Sequence, residues 1–416
     1  MENVQKGNIF ANKFIRYILL AGVFVQIGTW VRNFAILLFV MDSTQGNSTA
    51  VSLIYVAEFA PIFLFSFIGG TYADRWRPKR TIVWCDILSA ISVFAVLFTL
   101  IFGSWKAVFF VTLVSAILSQ FSQPSMMKLF KQHVPQDQLQ AAMAMFQTLM
   151  AIFMIIGPAI GTMIFQKYGI TVSIAVTGIC FLLSAAVLYF LPADQAPVRE
   201  LKETTVRKDI MDGFKYVKNS FALRIMAGAF LAAGLAVGIL QPLGVFVVVE
   251  QLGMAKENLQ WFLMVNGGAM LVGGALVMGL SRKISPQKLL TIGMVSSAIS
   301  VIGISFSTSF FIALCFQFIN GLLFPCISTG INTIILGSTD EEYVGRVNGV
   351  LNPLFMGGMV IMMIFSGLIK EMGSLQLSYQ MAGLLFIIGG LLIIPMYRET
   401  IIKNDSVTTT STATNE

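Results

Sequence analysis

Charge is what this chain lacks most. Of its 416 residues only 11% are charged, less than half the roughly 25% of an ordinary soluble domain. Length alone would suggest two or three soluble domains, but a chain so poor in charge cannot clothe that much surface against water. Histidine is nearly absent. The single one, His133, sits in a short polar loop and reads as a surface residue rather than a ligand or a base. The four cysteines, Cys85, Cys180, Cys315 and Cys326, all fall in apolar runs. They have neither metal-site spacing nor the pattern of a disulfide framework, and they pack there as small hydrophobes. No Gly-Lys-Ser/Thr phosphate loop is present, which argues against ATP-driven chemistry. The first apolar run has no small-residue cleavage site after it and reads as a retained span rather than a signal peptide. With one histidine and few carboxylates inside apolar segments, no catalytic set can be assembled. No enzyme activity, cofactor or metal is expected.

What the chain has is apolar length. Hydrophobic residues make up 56% of it, and a helix needs about 20 of them in a row to cross a bilayer. Twelve such segments are expected, near 14–40, 50–73, 81–102, 106–127, 141–166 and 170–191, then 223–249, 259–281, 288–306, 309–336, 347–369 and 377–397. The fold class is therefore an all-α polytopic membrane protein. Residues 1–192 should form one six-helix bundle and 221–400 a second, pseudo-symmetric to the first. Residues 193–220 should form a linker, and 401–416 a polar disordered tail. Within the linker, Ile210, Phe214, Val217 and Phe221 recur at helical spacing among Lys208, Lys215 and Lys218. That pattern fits an amphipathic helix on the membrane surface as well as a solvated linker helix.

Basic residues set the orientation. With the N-terminus in the cytoplasm, 22 of the 27 lysines and arginines fall in cytoplasmic segments. Four fall outside, Lys106, Lys167, Lys256 and Lys370, and Arg32 lies within the first span. Both termini are then cytoplasmic and the protein is multi-pass in the cell membrane. The net charge of +7 is spread over many loops as a topology signal, so nucleic acid is not an expected partner.

The two halves echo each other. "GGTYADRWRPKR" closes the second span and "GLSRKISPQK" the eighth; "VPQDQLQAAMAM" follows the fourth and "STDEEYVGRVNGV" the tenth. Related halves of this kind place a site at the repeat interface. "GGTYADRWRPKR" also resembles the loop 2–3 signature of the major facilitator superfamily, Gly-x-x-x-Asp-Arg-x-Gly-Arg-Arg/Lys. Gly70, Asp74, Arg75 and Lys79 match it, while Arg77 and Pro78 depart from it. "FSQPSMMKLFKQHVPQDQLQAAMAM" and "DEEYVGRVNGV" are similar to the branch holding macrolide-efflux and enterobactin-exporter-like proteins. The resemblance implies a fold of two six-helix bundles and transport by alternating access. It also implies a cytoplasmic latch at Gly70, Asp74, Arg75, Lys79 and Arg80. Asp86, about one and a half turns beyond Arg80, is expected to support that latch.

"IIGPAIGTMI" in span 5 resembles the exporter glycine-proline motif of the superfamily. Gly157 and Gly161 form a small-xxx-small face and Pro158 removes a backbone bond. One departure is that span 4 carries Gln120 and Gln123 where many proton-coupled members have an arginine.

The least ordinary stretch is "SLIYVAEFAPIFLFSF", with Glu58 alone among apolar and small residues. An ionisable residue at that depth is costly and marks a functional site by default. Glu58 lies ten residues inward of Ser48, and Arg32 ten inward of Asp42 on the neighbouring antiparallel span. Both are about 15 Å below the outer surface at 1.5 Å per residue, so the two are expected to meet. Either they form a structural clasp, or Glu58 binds and releases a proton with Arg32 tuning its affinity. Other polar residues inside spans are candidates to line a substrate cavity: Gln26, Asn33, Gln120, Gln123, Gln147, Gln241, Asn266, Gln317, Asn320, Asn332 and Asn352. Any of them could equally form an interhelical hydrogen bond.

Together these features point to a monomeric secondary transporter, a multidrug-type efflux antiporter. Its partners would be a small amphipathic or hydrophobic molecule, protons (or sodium in their place) and the lipid bilayer. An importer or uniporter on the same fold is one alternative. A lipid scramblase or membrane enzyme is an alternative from another class.

Overall fold

A computed structural model describes residues 12–101, 106–192, 206–281 and 283–397, with the side chains of 66–75, 101 and 206–210 left out of the description. The expected tail and residues 193–205 of the expected linker lie outside the described residues. Every regular element among the described residues is helical. In chain order they are α1 (Lys13–Ser43), α2 (Ser48–Arg75), α3 (Pro78–Ile101), α4 (Ala107–His133), α5 (Gln136–Tyr189), α6 (Val206–Asn219), α7 (Phe221–Phe246), α8 (Leu259–Leu280), α9 (Pro286–Phe306), α10 (Phe310–Gly337), α11 (Val344–Met372) and α12 (Leu375–Leu392). A π-helical turn, Val247–Gln251, extends α7. Helix is the natural choice for these segments, because in lipid every backbone polar group has to be satisfied within the segment.

Eleven of the described helices are long and apolar enough to cross a membrane. One of them, α5, counts twice. Its 54 residues would span about 80 Å if straight, well over two bilayer cores. It breaks at Gly169, with φ 74° and ψ −175°, a region open essentially only to glycine. Contacts with α1 show that the chain reverses there. The first arm runs parallel to α1, since Gly22 lies against Phe146 and Leu149, and Gly161 against Trp30 and Phe34. The second arm runs antiparallel. Thr177 Oγ1 donates to Gly28 O (3.2 Å), and Leu188 and Leu191 return to the Phe14–Ile15–Ile18 end of α1.

The chain divides into two compact units, Met1–Leu201 with Ala255–Met264, and Lys202–Met254 with Val265–Glu416. Inside the second unit the same packing scheme recurs. Gly234 and Gly238 of α7 press on Phe355 O and Met359 O of α11 in parallel, and Gly228 meets Leu392 of α12 in antiparallel. Thus α7 relates to α11 and α12 as α1 relates to the two arms of α5. Small residues carry these contacts because lipid offers no hydrophobic drive for helices to associate, and close packing takes its place.

Helix α6 packs on the start of α11. Gly213 sits against the Arg346 carbonyl. Tyr216 stacks on Tyr343 at 4.6 Å between ring centroids and donates to Asp340 Oδ2 (3.0 Å). Val217 is buried whereas Met211 and Phe214 are exposed.

Candidate functional site

Two charged residues expected to meet are held one residue apart. Arg32, 4% exposed, donates from Nε (3.0 Å) and Nη2 (2.9 Å) to Asn33 Oδ1. Asn33 in turn donates from Nδ2 to Glu58 Oε1 at 2.8 Å. No ion pair joins Arg32 to Glu58 among the described residues. The direct contact expected from equal depth is therefore replaced by a relay through a neutral amide. Its carbonyl end faces the cation and its N–H end faces the carboxylate, so each charge meets the favourable pole of the amide dipole. Asn33 appeared in the sequence only as one of many polar residues. The signal that would have singled it out is its place beside Arg32, since consecutive residues on a helix do not face the same way and only one of the two could point at α2.

Arg32 and Glu58 line a cavity of about 290 Å³ inside the first unit, which also reaches Gln26, Gln123 and Asp86. Gln26 Nε2 donates to Met150 Sδ across it. Asp86 is 5% exposed and accepts from Ser184 Oγ at 2.6 Å, with its side chain turned into the bundle.

The remaining candidates scatter. Gln120 donates to Ser119 Oγ (3.1 Å). Gln147, Gln241, Asn332 and Asn352 are exposed on their own units. In the second unit, Asn266 Nδ2 donates to Gln317 O (3.3 Å) and reaches Asn320 Oδ1 (3.5 Å), a bond between α8 and α10. The side chains of Gly70, Asp74 and Arg75 lie outside the described residues. Lys79 has partners within its own unit: Nζ donates to Tyr189 O (2.8 Å) and Leu191 O (2.5 Å). It thereby caps the carbonyl end of α5, where a cation is favoured. Arg80 is exposed. Gly157 and Gly161 are packing residues: a Cβ on Gly157 would lie 2.4 Å from the Trp30 ring, and one on Gly161 2.7 Å from Trp30 O. Pro158 is buried between them.

Helical crossings in two repeated units, with ionisable side chains buried in the first, define a polytopic membrane transporter. The chain belongs to the major facilitator superfamily, whose family profile matches residues 18–357 and 226–410. It is similar to macrolide efflux protein A of Streptococcus pyogenes, 23% identical over 395 residues that cover 92% of this chain and 96% of that protein. It is also similar to the multidrug efflux pump Tap of Mycolicibacterium fortuitum, 24% identical with 80% and 84% covered. Among solved structures, a mutant of the nucleoside transporter NupG shares the fold with a TM-score of 0.77 at 12% identity, covering 93% of this chain and all of that one.

Proposed function

We propose that this protein exports amphipathic or hydrophobic small molecules in exchange for protons. It would work by alternating access, with both termini in the cytoplasm and Glu58 as the proton carrier. The relatives named for macrolide and multidrug efflux support the direction and substrate class. The observation that carries the proton assignment is the Arg32–Asn33–Glu58 relay. A carboxylate bonded directly to a guanidinium loses that bond's charge on protonation. Here protonation of Glu58 breaks no hydrogen bond: the neutral carboxyl still accepts from Asn33 Nδ2 through its carbonyl oxygen, and Arg32 keeps Asn33 Oδ1. The site can therefore change charge with its geometry intact, as a carrier requires.

The test is transport in proteoliposomes, with ethidium and a macrolide as probes and a pH or sodium gradient imposed separately. Glu58→Gln should reduce pH-driven accumulation at least ten-fold while probe exchange survives. Glu58→Gln leaves the Arg32 charge without a counter-charge at the end of the relay, so the double variant Arg32→Gln with Glu58→Gln is the control. Recovery of coupled transport in that double variant would reduce Glu58 to a structural partner. Driving by sodium alone would replace the proton.

A further inference from the structure

We propose that the cavity inside the first unit is a hydrated proton path, and that Asp86 is its cytoplasmic proton acceptor, exchanging protons with Glu58 within one helix bundle. This rests on the reading of Glu58 as the carrier and adds the route by which its proton leaves.

Both carboxylates line the same cavity. Glu58 lies 17 residues before the end of α2 at Arg75, and Asp86 lies 8 residues after the start of α3 at Pro78. At 1.5 Å per residue the two sit about 26 Å and 12 Å from the shared turn, so about 14 Å apart along the bundle. No direct hop spans that distance. Hydrogen-bonded steps of about 2.8 Å would need roughly four intermediates. A volume of about 290 Å³ holds on the order of ten waters at about 30 Å³ each.

Ser89, Ser115, Ser119, Ser122 and Ser184 are among the residues that line the cavity, and their hydroxyls are the polar points along a mostly apolar wall at which waters can be held. The charged or titratable side chains on the wall are Arg32 of α1, Glu58 of α2, and Cys85 and Asp86 of α3; α4 and both arms of α5 contribute none. Among the described residues that line the cavity, the cation is Arg32, and its charge disfavours an excess proton beside Glu58.

At the far end, Asp86 Oδ2 accepts from Ser184, and Oδ1 has no partner among the described residues. The step is balanced. The Glu58 carboxyl loses a proton to the water chain, the Asp86 carboxylate gains one, and Asp86 then releases it. The neighbouring Cys85 also borders a second cleft, lined by Arg77, Arg80 and Thr81.

The experiment uses the full chain in proteoliposomes, with ethidium as the probe and a pH dye inside. Asp86→Asn keeps the size of the side chain and an oxygen acceptor for Ser184, so a purely structural aspartate predicts wild-type behaviour. The path predicts that the ratio of pH-driven accumulation to ethidium exchange falls at least ten-fold, and that Asp86→Glu restores most of it. Ser122→Leu adds bulk to the cavity wall while leaving both carboxyl groups in the chain, and should lower the same ratio. The path is overturned if both Asp86→Asn and Ser122→Leu keep the wild-type ratio and pH profile. Wild-type coupling in those two together with an uncoupled Glu58→Gln removes the path alone. Wild-type coupling in Glu58→Gln removes the carrier reading instead.

Discussion

Asn33 is the residue that joins Arg32 to Glu58. It accepts two hydrogen bonds from Arg32 and donates one to Glu58. Hydrogen bonds to charged groups contribute about 1.5–3 kcal/mol each, so Asn33→Leu should lower the thermal unfolding midpoint in detergent by several degrees. The three side chains should also behave as one unit. Neutralising Glu58 in the Asn33→Leu background should then cost less than it does in the wild type, with a coupling energy of about 0.5–3 kcal/mol. Strict additivity of the two changes in a thermal double-mutant cycle would show that the relay is not formed.

At the level of the helix, the span 5 motif earns its glycines through α1. Gly157 and Gly161 admit Trp30 and Phe34 so closely that a methyl group at either position collides with a ring or a backbone carbonyl. Gly157→Ala should therefore reduce both yield and thermal midpoint. Gly274→Ala is the matched control, because nothing lies within 4 Å of a Cβ there and alanine favours a helix over glycine by about 0.5–1 kcal/mol. Equal midpoints for the two variants would mean that α1 is not seated on the motif. Seating has a consequence for the site. With Trp30 and Phe34 held against α5, the rotation of α1 about its own axis is set, and Asn33 is the residue presented to α2.

For the whole molecule, the bias of basic residues toward one side predicts which end of each bundle faces the cytoplasm. In a cysteine-free background, Ser43→Cys, at the exposed end of α1, should react with a membrane-impermeant maleimide in intact cells. Gln136→Cys, exposed at the start of α5, should react only after permeabilisation. The reverse labelling would invert the orientation and, with it, the assignment of Asp86 to the cytoplasmic side.

The sequence by itself determined the membrane class, the twelve crossings and the internal repeat. These follow from apolar length and from the recurrence of loop motifs, which are properties along the chain. It also marked Glu58 and Arg32 as unusual, because a charge in an apolar run is visible without coordinates. Only the tertiary structure decided what each charge touches. Depth along a helix is one-dimensional and can be counted in residues, but each residue turns the helix by about 100°, and the direction a side chain faces is fixed by packing on other helices. That is why Arg32 and Glu58, matched in depth, are joined through Asn33. It is also why Asp86 turns inward to Ser184.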